Sequence, residues 1–105
     1  MSAQSATILD TIAFNDEGYM LDWQVWNEDI ARAIAQEEDI TLTERHWQVI
    51  RFTREEYAKN HDAPTLRRIT QQTNIPMKEM YALFPDGPAK KAAMVAGLPK
   101  PTGCL

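Results

Sequence analysis

The residue in this 105-residue sequence best suited to chemistry is its single cysteine, Cys104, which lies one residue before the last. Pro99, Lys100 and Pro101 lead up to it, and Gly103 comes directly before it. A cysteine thiolate is a nucleophile that attacks disulfide and persulfide sulfur. A thiol at the tip of such a segment can be delivered into a second protein, as a carrier requires.

The last eight residues predict a semi-rigid arm. Pro99 and Pro101 cannot continue a helix and favour the polyproline II conformation. At about 3.1 Å per residue, the stretch from the start of the arm to the thiol would reach roughly 20 Å. We therefore expect one domain over residues 1–97 and a mobile, proline-rich arm over residues 98–105 that carries Cys104.

The composition is that of a globular domain, with 44% hydrophobic and 25% charged residues. A chain of this length can build a core without disulfides or metals, and one cysteine excludes an internal disulfide. The net charge of −4 argues against a broad phosphate-binding surface. The sequence shows neither a signal-peptide pattern nor a run of about 20 apolar residues, so we expect a cytoplasmic protein without a membrane segment.

Apolar periodicity and capping residues predict a mainly α-helical domain. In the longest helix, Trp47, Ile50, Arg54 and Tyr57 follow at helical spacing. Pro88 suits the first position of the last helix, whose end is predicted at a glycine, Gly97. The predicted helices run from the cap Asn27 to about Glu37, from the cap Thr43 to about Lys59, and over Thr65–Gln72, Met77–Leu83 and Ala89–Ala96.

An N-terminal β-hairpin is also predicted. Thr11–Phe14 and Tyr19–Leu21 are short β-prone runs on either side of turn residues, and Gly18 can supply the positive φ that the turn needs. Such a small hairpin should pack on the helices. The expected fold class is therefore α+β, mainly α, with a hairpin or small meander on a helical array and a flexible C-terminal arm.

Three stretches, "HWQVIRFTREEY", "LFPDGPAKKA" and "AGLPKPTGCL", are similar to the TusE/DsrC family of sulfur-relay proteins. The resemblance covers nearly the whole chain, and the cysteine one residue from the end is its most specific part. It implies that Cys104 carries sulfur as a persulfide and that the chain performs a sulfurtransferase half-reaction only with partner proteins. The implied donor is a TusBCD-like or DsrEFH-like complex, and the implied acceptor is a tRNA thiolase or a sulfite reductase.

The resemblance also assigns roles to other positions. Arg67 corresponds to an arginine near the arm, and Lys90 to the lysine of "GPAK". At Ala93 the dissimilatory branch has a second cysteine, so this chain is more similar to the single-cysteine branch. The implied function is therefore sulfur relay in tRNA 2-thiouridine synthesis, with a DsrC-like role in dissimilatory sulfur metabolism as the alternative. The segment before Leu83 is shorter than in the family, which bears on the choice of partner.

The arm itself corresponds to Pro99, Lys100, Pro101 and Gly103.

A helix-turn-helix DNA-binding regulator is the alternative from another class, because residues 64–84 are predicted to form two short helices around "TNIP" and so resemble that motif. The second of these, "MKEMYALF", is mostly apolar and offers Lys78 beside Glu79. A recognition helix needs polar or basic side chains for phosphates and base edges. Arg67 and Arg68 are the only paired basic residues in this segment, so direct DNA binding is disfavoured.

No cofactor or metal is expected. The candidate ligands His46, His61, Asp62 and Cys104 do not have the spacing of metal ligands, and a phosphate-cradling glycine loop is absent from the sequence. His46 is interpreted as a helix-start residue whose ring packs or caps. The tryptophans are expected in or against the core.

Overall fold

The computed structural model describes residues 8–101. Within this range residues 8–10 are helical, and a short 3-10 turn at Trp23–Val25 precedes five α-helices. Each predicted helix is confirmed, with its bounds correct to within one residue. None of the helices in the described range is both long and apolar enough to span a membrane. The α-helices are α1 (Glu28–Glu37), α2 (Glu44–Asn60), α3 (Leu66–Thr73), α4 (Met77–Leu83) and α5 (Pro88–Val95).

Local capping explains why the helices begin and end where they do. Asn27 and Thr65 begin α1 and α3, and each side-chain oxygen accepts a backbone N–H three residues on. His61 and Asn74 end α2 and α3 in the left-handed conformation, with φ of 58° and 61°. Asparagine is among the few residues that adopt this conformation readily. These signals are local, so the sequence predicts them well.

The buried side chain of His46 ties the start of α2 to the end of α4. Its Nδ1 accepts a hydrogen bond from the backbone N–H of Thr43 at 3.0 Å. The proton therefore lies on Nε2, which donates to the carbonyl oxygen of Leu83 at 2.8 Å. The ring also meets Phe84 edge-to-face, with centroids 5.0 Å apart. The predicted capping and packing role of His46 is confirmed.

The short helix α5 lies at the centre of the domain. It packs against α1, α2 and α4, and its alanines let these helices approach closely. Leu98, just beyond α5, is also fully buried in the core. The largest fully buried side chains are Phe84, Met20, Ile50, Ile69, Ile75, Met80, Leu98, Val49 and Val95.

The predicted β-hairpin is wrong. Within residues 8–101 the only β pairing is a single antiparallel bridge between Phe14 and Met20. The predicted turn does form, and Gly18 has a φ of 95°. However, the N–H and the hydroxyl of Thr11 both bond to the carbonyl of Ile8, which continues the N-terminal helical segment into the expected first strand.

The second expected strand is also cut short. The side chain of Asp22 accepts the backbone N–H of Gln24 at 3.0 Å and starts the 3-10 turn directly after Leu21. Helical hydrogen bonding therefore begins on both sides of the turn, which prevents a second β-bridge from forming next to the Phe14–Met20 bridge. The fold is mainly helical, and β structure contributes one bridge to the described part of the chain.

Candidate functional site

The described part of the candidate site is the arm root, which we define as residues 97–101. The predicted sulfur-bearing Cys104 and its neighbour Gly103 lie outside the described residues. Of the other predicted arm residues, Pro99 and Pro101 are half-buried and Lys100 is exposed. The arm root therefore contacts the domain for most of its length.

A hydrogen-bonded turn at the end of α5 begins the arm root. Gly97 has a φ of 72°, which reverses the chain direction. Its N–H donates to the carbonyl of Met94 at 3.0 Å, and the N–H of Leu98 donates to the carbonyl of Ala93 at 3.1 Å. This is the Schellman pattern, in which two backbone amides beyond the helix satisfy two of its last carbonyls. The prediction that the last helix stops at Gly97 is confirmed.

Side chains from elsewhere in the chain hold the next two carbonyls. Trp26 donates from its indole Nε1 to the carbonyl of Val95 at 2.9 Å. Arg54 donates from Nη1 to the carbonyl of Ala96 at 2.9 Å and from Nη2 to the carbonyl of Trp23 at 3.1 Å. We call Trp23, Trp26 and Arg54 the clamp. It connects the 3-10 turn, α2 and the end of α5.

The clamp residues also stack on one another. The guanidinium carbon of Arg54 lies 4.1 Å from the ring centroid of Trp26 and 5.3 Å from that of Trp23. Partial burial lowers the pKa of Arg54, although an arginine remains charged in any ordinary solution. No sequence motif indicates that Arg54 belongs to the site. The available signal was an arginine on the otherwise apolar face of α2.

An ion pair joins the exposed part of the arm root to the domain. Lys100 Nζ lies 2.6 Å from the carboxylate of Glu17, in the turn that leads to the Phe14–Met20 bridge. The hydrogen bond from Lys100 lowers the pKa of the Glu17 carboxyl, and the charge of Lys90 adds a smaller effect in the same direction. Glu17 in turn raises the pKa of Lys100. Two predicted support residues, Lys90 and Lys100, thus act on one carboxylate.

We expect the pKa of Glu17 to rise toward its ordinary value in Lys100→Met, because the largest stabiliser of the carboxylate is removed. Carbon-detected NMR titration of the Glu17 carboxyl measures this. Lys90→Met is the matched control and should raise the pKa less. The pKa of Glu17 is lower in the folded protein than in the unfolded chain. The ion pair is therefore intact at a pH above the ordinary pKa of a glutamate, and it is lost as the pH falls through the pKa of Glu17 in the folded protein. Equal shifts in the two variants would contradict the assignment.

Arg67 is exposed on α3. The adjacent Arg68 is part of a different contact, since its Nε lies 2.5 Å from the buried carboxylate of Glu56. That hydrogen bond lowers the pKa of Glu56 and ties α3 to α2. The role of Arg67 beside the arm stays a prediction.

The surface of α3 and α4 does not suit a nucleic-acid reader. Arg68 is neutralised by its ion pair, and Glu79 is held by Arg45 through two hydrogen bonds of 2.7 Å. The exposed side chains of α4 are Met77, Lys78, Tyr81 and Ala82, so Lys78 is the single exposed basic residue of this helix. Between residues 8 and 101, moreover, no group of three metal-ligating side chains is close enough to hold a metal ion.

These features define a small helical protein that holds the start of a C-terminal segment firmly against its domain. The chain belongs to the DsrC-like family, whose family model, described as "DsrC like protein", matches residues 8–105. The matched range includes Cys104. The predicted resemblance is confirmed.

Two curated relatives carry sulfurtransferase names. Sulfurtransferase TusE of Pectobacterium atrosepticum is 40% identical over 102 residues, which are 90% of this chain and 94% of the relative. The Sulfurtransferase TusE homolog of Haemophilus influenzae is 45% identical over 96 residues, with coverage of 85% and 88%. The chain therefore spans nearly the full length of both relatives.

A solved structure gives the same result for the fold. The oxidized gamma-subunit of the dissimilatory sulfite reductase (DsrC) from Archaeoglobus fulgidus superposes with a TM-score of 0.80 at 37% identity, covering 90% of this chain and 92% of that one. These similarities give no support to the DNA-binding alternative.

Proposed function

We propose that this protein is a sulfur relay that accepts sulfur on Cys104 and passes it to an acceptor protein. The observation that carries the proposal is the position of the only thiol of the sequence within the range that the family model matches, one residue from its end. The sulfurtransferase names of the relatives support it. The structure contributes a packed helical domain and an arm root, which the thiol-bearing segment follows in the sequence.

The transfer step requires no external oxidant or reductant. The thiolate of Cys104 attacks the outer sulfur of a donor persulfide, R–S–SH. A new sulfur–sulfur bond forms on Cys104 while the donor's sulfur–sulfur bond breaks, and the electron pair leaves with the donor thiolate. The products are the Cys104 persulfide and R–S⁻. Transfer to the acceptor repeats the same exchange with Cys104 as the leaving thiolate.

We assign the relay to tRNA 2-thiouridine synthesis, with a TusBCD-like complex as donor and a tRNA thiolase as acceptor. The TusE names of the curated relatives and the presence of Ala93 instead of a second cysteine favour this pathway. The alternative is a DsrC-like role with a DsrEFH-like donor and a sulfite reductase as acceptor. It is favoured by the match to a sulfite reductase gamma-subunit.

Two measurements on the native host test the proposal. Tandem mass spectrometry of the purified endogenous protein should find one or more extra sulfur atoms on Cys104. Deletion of the gene should remove 2-thiouridine from tRNA, and the wild-type gene should restore it whereas a Cys104→Ser copy should not. Full thiolation in the deletion strain would exclude the tRNA pathway, and loss of sulfite reductase turnover instead would favour the alternative.

The prolines of the arm should matter for transfer to a protein and not for intrinsic thiol reactivity. In Pro99→Gly/Pro101→Gly the arm keeps its length but gains freedom that must be lost on insertion into an acceptor. We expect slower sulfur transfer to the acceptor, by about tenfold if some 1.4 kcal/mol of extra ordering cost is incurred. The rate of alkylation of Cys104 by a small maleimide is the control and should stay unchanged. Equal transfer rates in variant and wild type would contradict a role for arm stiffness.

A further inference from the structure

The end of α5 is held far more firmly than a helix end requires. The last carbonyls of any helix lack partners within it and are commonly left to solvent. In this protein the carbonyl of Val95 is bonded by Trp26, and the carbonyl of Ala96 by Arg54. A Cβ atom at Gly97 would lie 2.2 Å from Cδ1 of Trp26, so the indole also presses directly against the turn. The direction in which the chain leaves the domain is fixed by both hydrogen bonds and steric contact.

Arg54 connects all parts of this arrangement. Its two partner atoms are backbone carbonyl oxygens, one in the 3-10 turn and one at the end of α5, and its guanidinium stacks on two indoles. Placing a charge in such a half-buried position costs desolvation, and an apolar side chain of similar volume often stabilises a fold equally well. A guanidinium differs from such a side chain in that it donates in several fixed directions at once. Its particular contribution is therefore orientation of the carbonyls.

We propose that Arg54 is a positioning residue for the sulfur relay, which acts by fixing the direction in which the arm root leaves the domain. The inference rests on the proposed function of Cys104. Through the carbonyl of Ala96, Arg54 sets the course of residues 97–101. The ion pair between Lys100 and Glu17 then holds that course at its far end.

The consequence is a restricted range for the thiol. Three residues lie between Lys100, which pairs with Glu17, and Cys104, so the four steps along the chain span no more than about 14 Å when fully extended. The flexible arm predicted from the sequence would instead reach roughly 20 Å from the end of the domain. A partner's active site must therefore approach the surface formed by the clamp and Glu17, and displacement of the arm root would present the thiol elsewhere.

Spin labelling tests this without any sulfur chemistry. One nitroxide is attached to Cys104, the native thiol, and a second to Ala58→Cys, an exposed position on α2. Pulsed EPR then measures the distribution of distances between the two labels. The test variants are Arg54→Lys, which keeps the charge but loses the two-directional donor, and Arg54→Met, which loses both. The matched control is Arg51→Met, because Arg51 lies on the same helix but contacts Glu44 and the ring of Trp47.

We expect the distance distribution to be at least twofold broader in Arg54→Met than in wild type, with Arg54→Lys intermediate and Arg51→Met unchanged. If Arg54→Met does not fold, the distance distribution of Arg54→Lys is compared with that of wild type and tests the proposal instead. Lower melting temperatures with unchanged distance distributions would show that Arg54 is only structural, and the proposal would be overturned. A wild-type distribution as broad as that of the variants would overturn it too.

Failure of the proposed function gives a different result. Absence of sulfur on Cys104 in the mass-spectrometric experiment would end the relay assignment, whatever the label distances. Conversely, a Cys104 that carries sulfur on an arm indifferent to Arg54 would overturn only the positioning role.

Discussion

The substitution Cys104→Ser should abolish sulfur loading completely. The serine hydroxyl is a far weaker nucleophile toward sulfane sulfur at neutral pH, because the reactive species is a thiolate and a serine is not ionised there. The measurement incubates the protein with inorganic polysulfide, removes the excess and determines the intact mass. Wild type should gain the mass of one or more sulfur atoms, and the variant should gain none.

The same substitution should leave the fold intact. Every side chain of the core described in residues 8–101 is unchanged in this variant, so we expect the melting temperature to stay within about a degree, as for changes worth less than about 0.5 kcal/mol. Ser5→Ala serves as a handling control, since it removes a hydroxyl near the other end of the sequence and should load sulfur like wild type. A Cys104→Ser protein that still acquires sulfur would place the chemistry on another residue.

The second large effect is expected on stability, from Gly97→Ala. Alanine at a φ of 72° costs roughly 1–2 kcal/mol, and its methyl group would lie 2.2 Å from Cδ1 of Trp26 and 2.9 Å from Sδ of Met20. Relief of that overlap must move the half-buried indole and costs about a further 1–3 kcal/mol. We therefore expect the free energy of unfolding to fall by about 2–5 kcal/mol in urea denaturation.

Gly87→Ala is the matched control for this prediction. Gly87 also has a positive φ, of 108°, but a Cβ there would meet its nearest atom, Cβ of Lys90, at an ordinary 3.9 Å. Only the backbone cost of about 1–2 kcal/mol should appear. The difference between the two variants isolates the steric contact of Gly97 with Trp26. If both variants lost the same free energy of unfolding, the indole of Trp26 would move aside without cost, and the steric contact with the turn would be excluded.

Much of the helical fold was predictable because its signals are local. Asn27 and Thr65 bond to amides three residues away, and Pro88 and Gly97 bound α5 through their own backbone preferences. The hairpin was wrong for a related reason. The turn at Gly18 is predictable from its own residues, but whether strands continue from it depends on helical segments that compete for the flanking residues.

The sequence by itself determined the helices, the stop at Gly97 and the position of the only thiol at Cys104. Only the tertiary structure decided how the arm begins. Arg54 donates to the carbonyl of Ala96, 42 residues further along the chain, and Trp26 donates to the carbonyl of Val95, 69 residues further along. Lys100 pairs with Glu17, near the other end of the sequence. No local spacing encodes such contacts, because they exist only once α5 is packed against α1, α2 and α4.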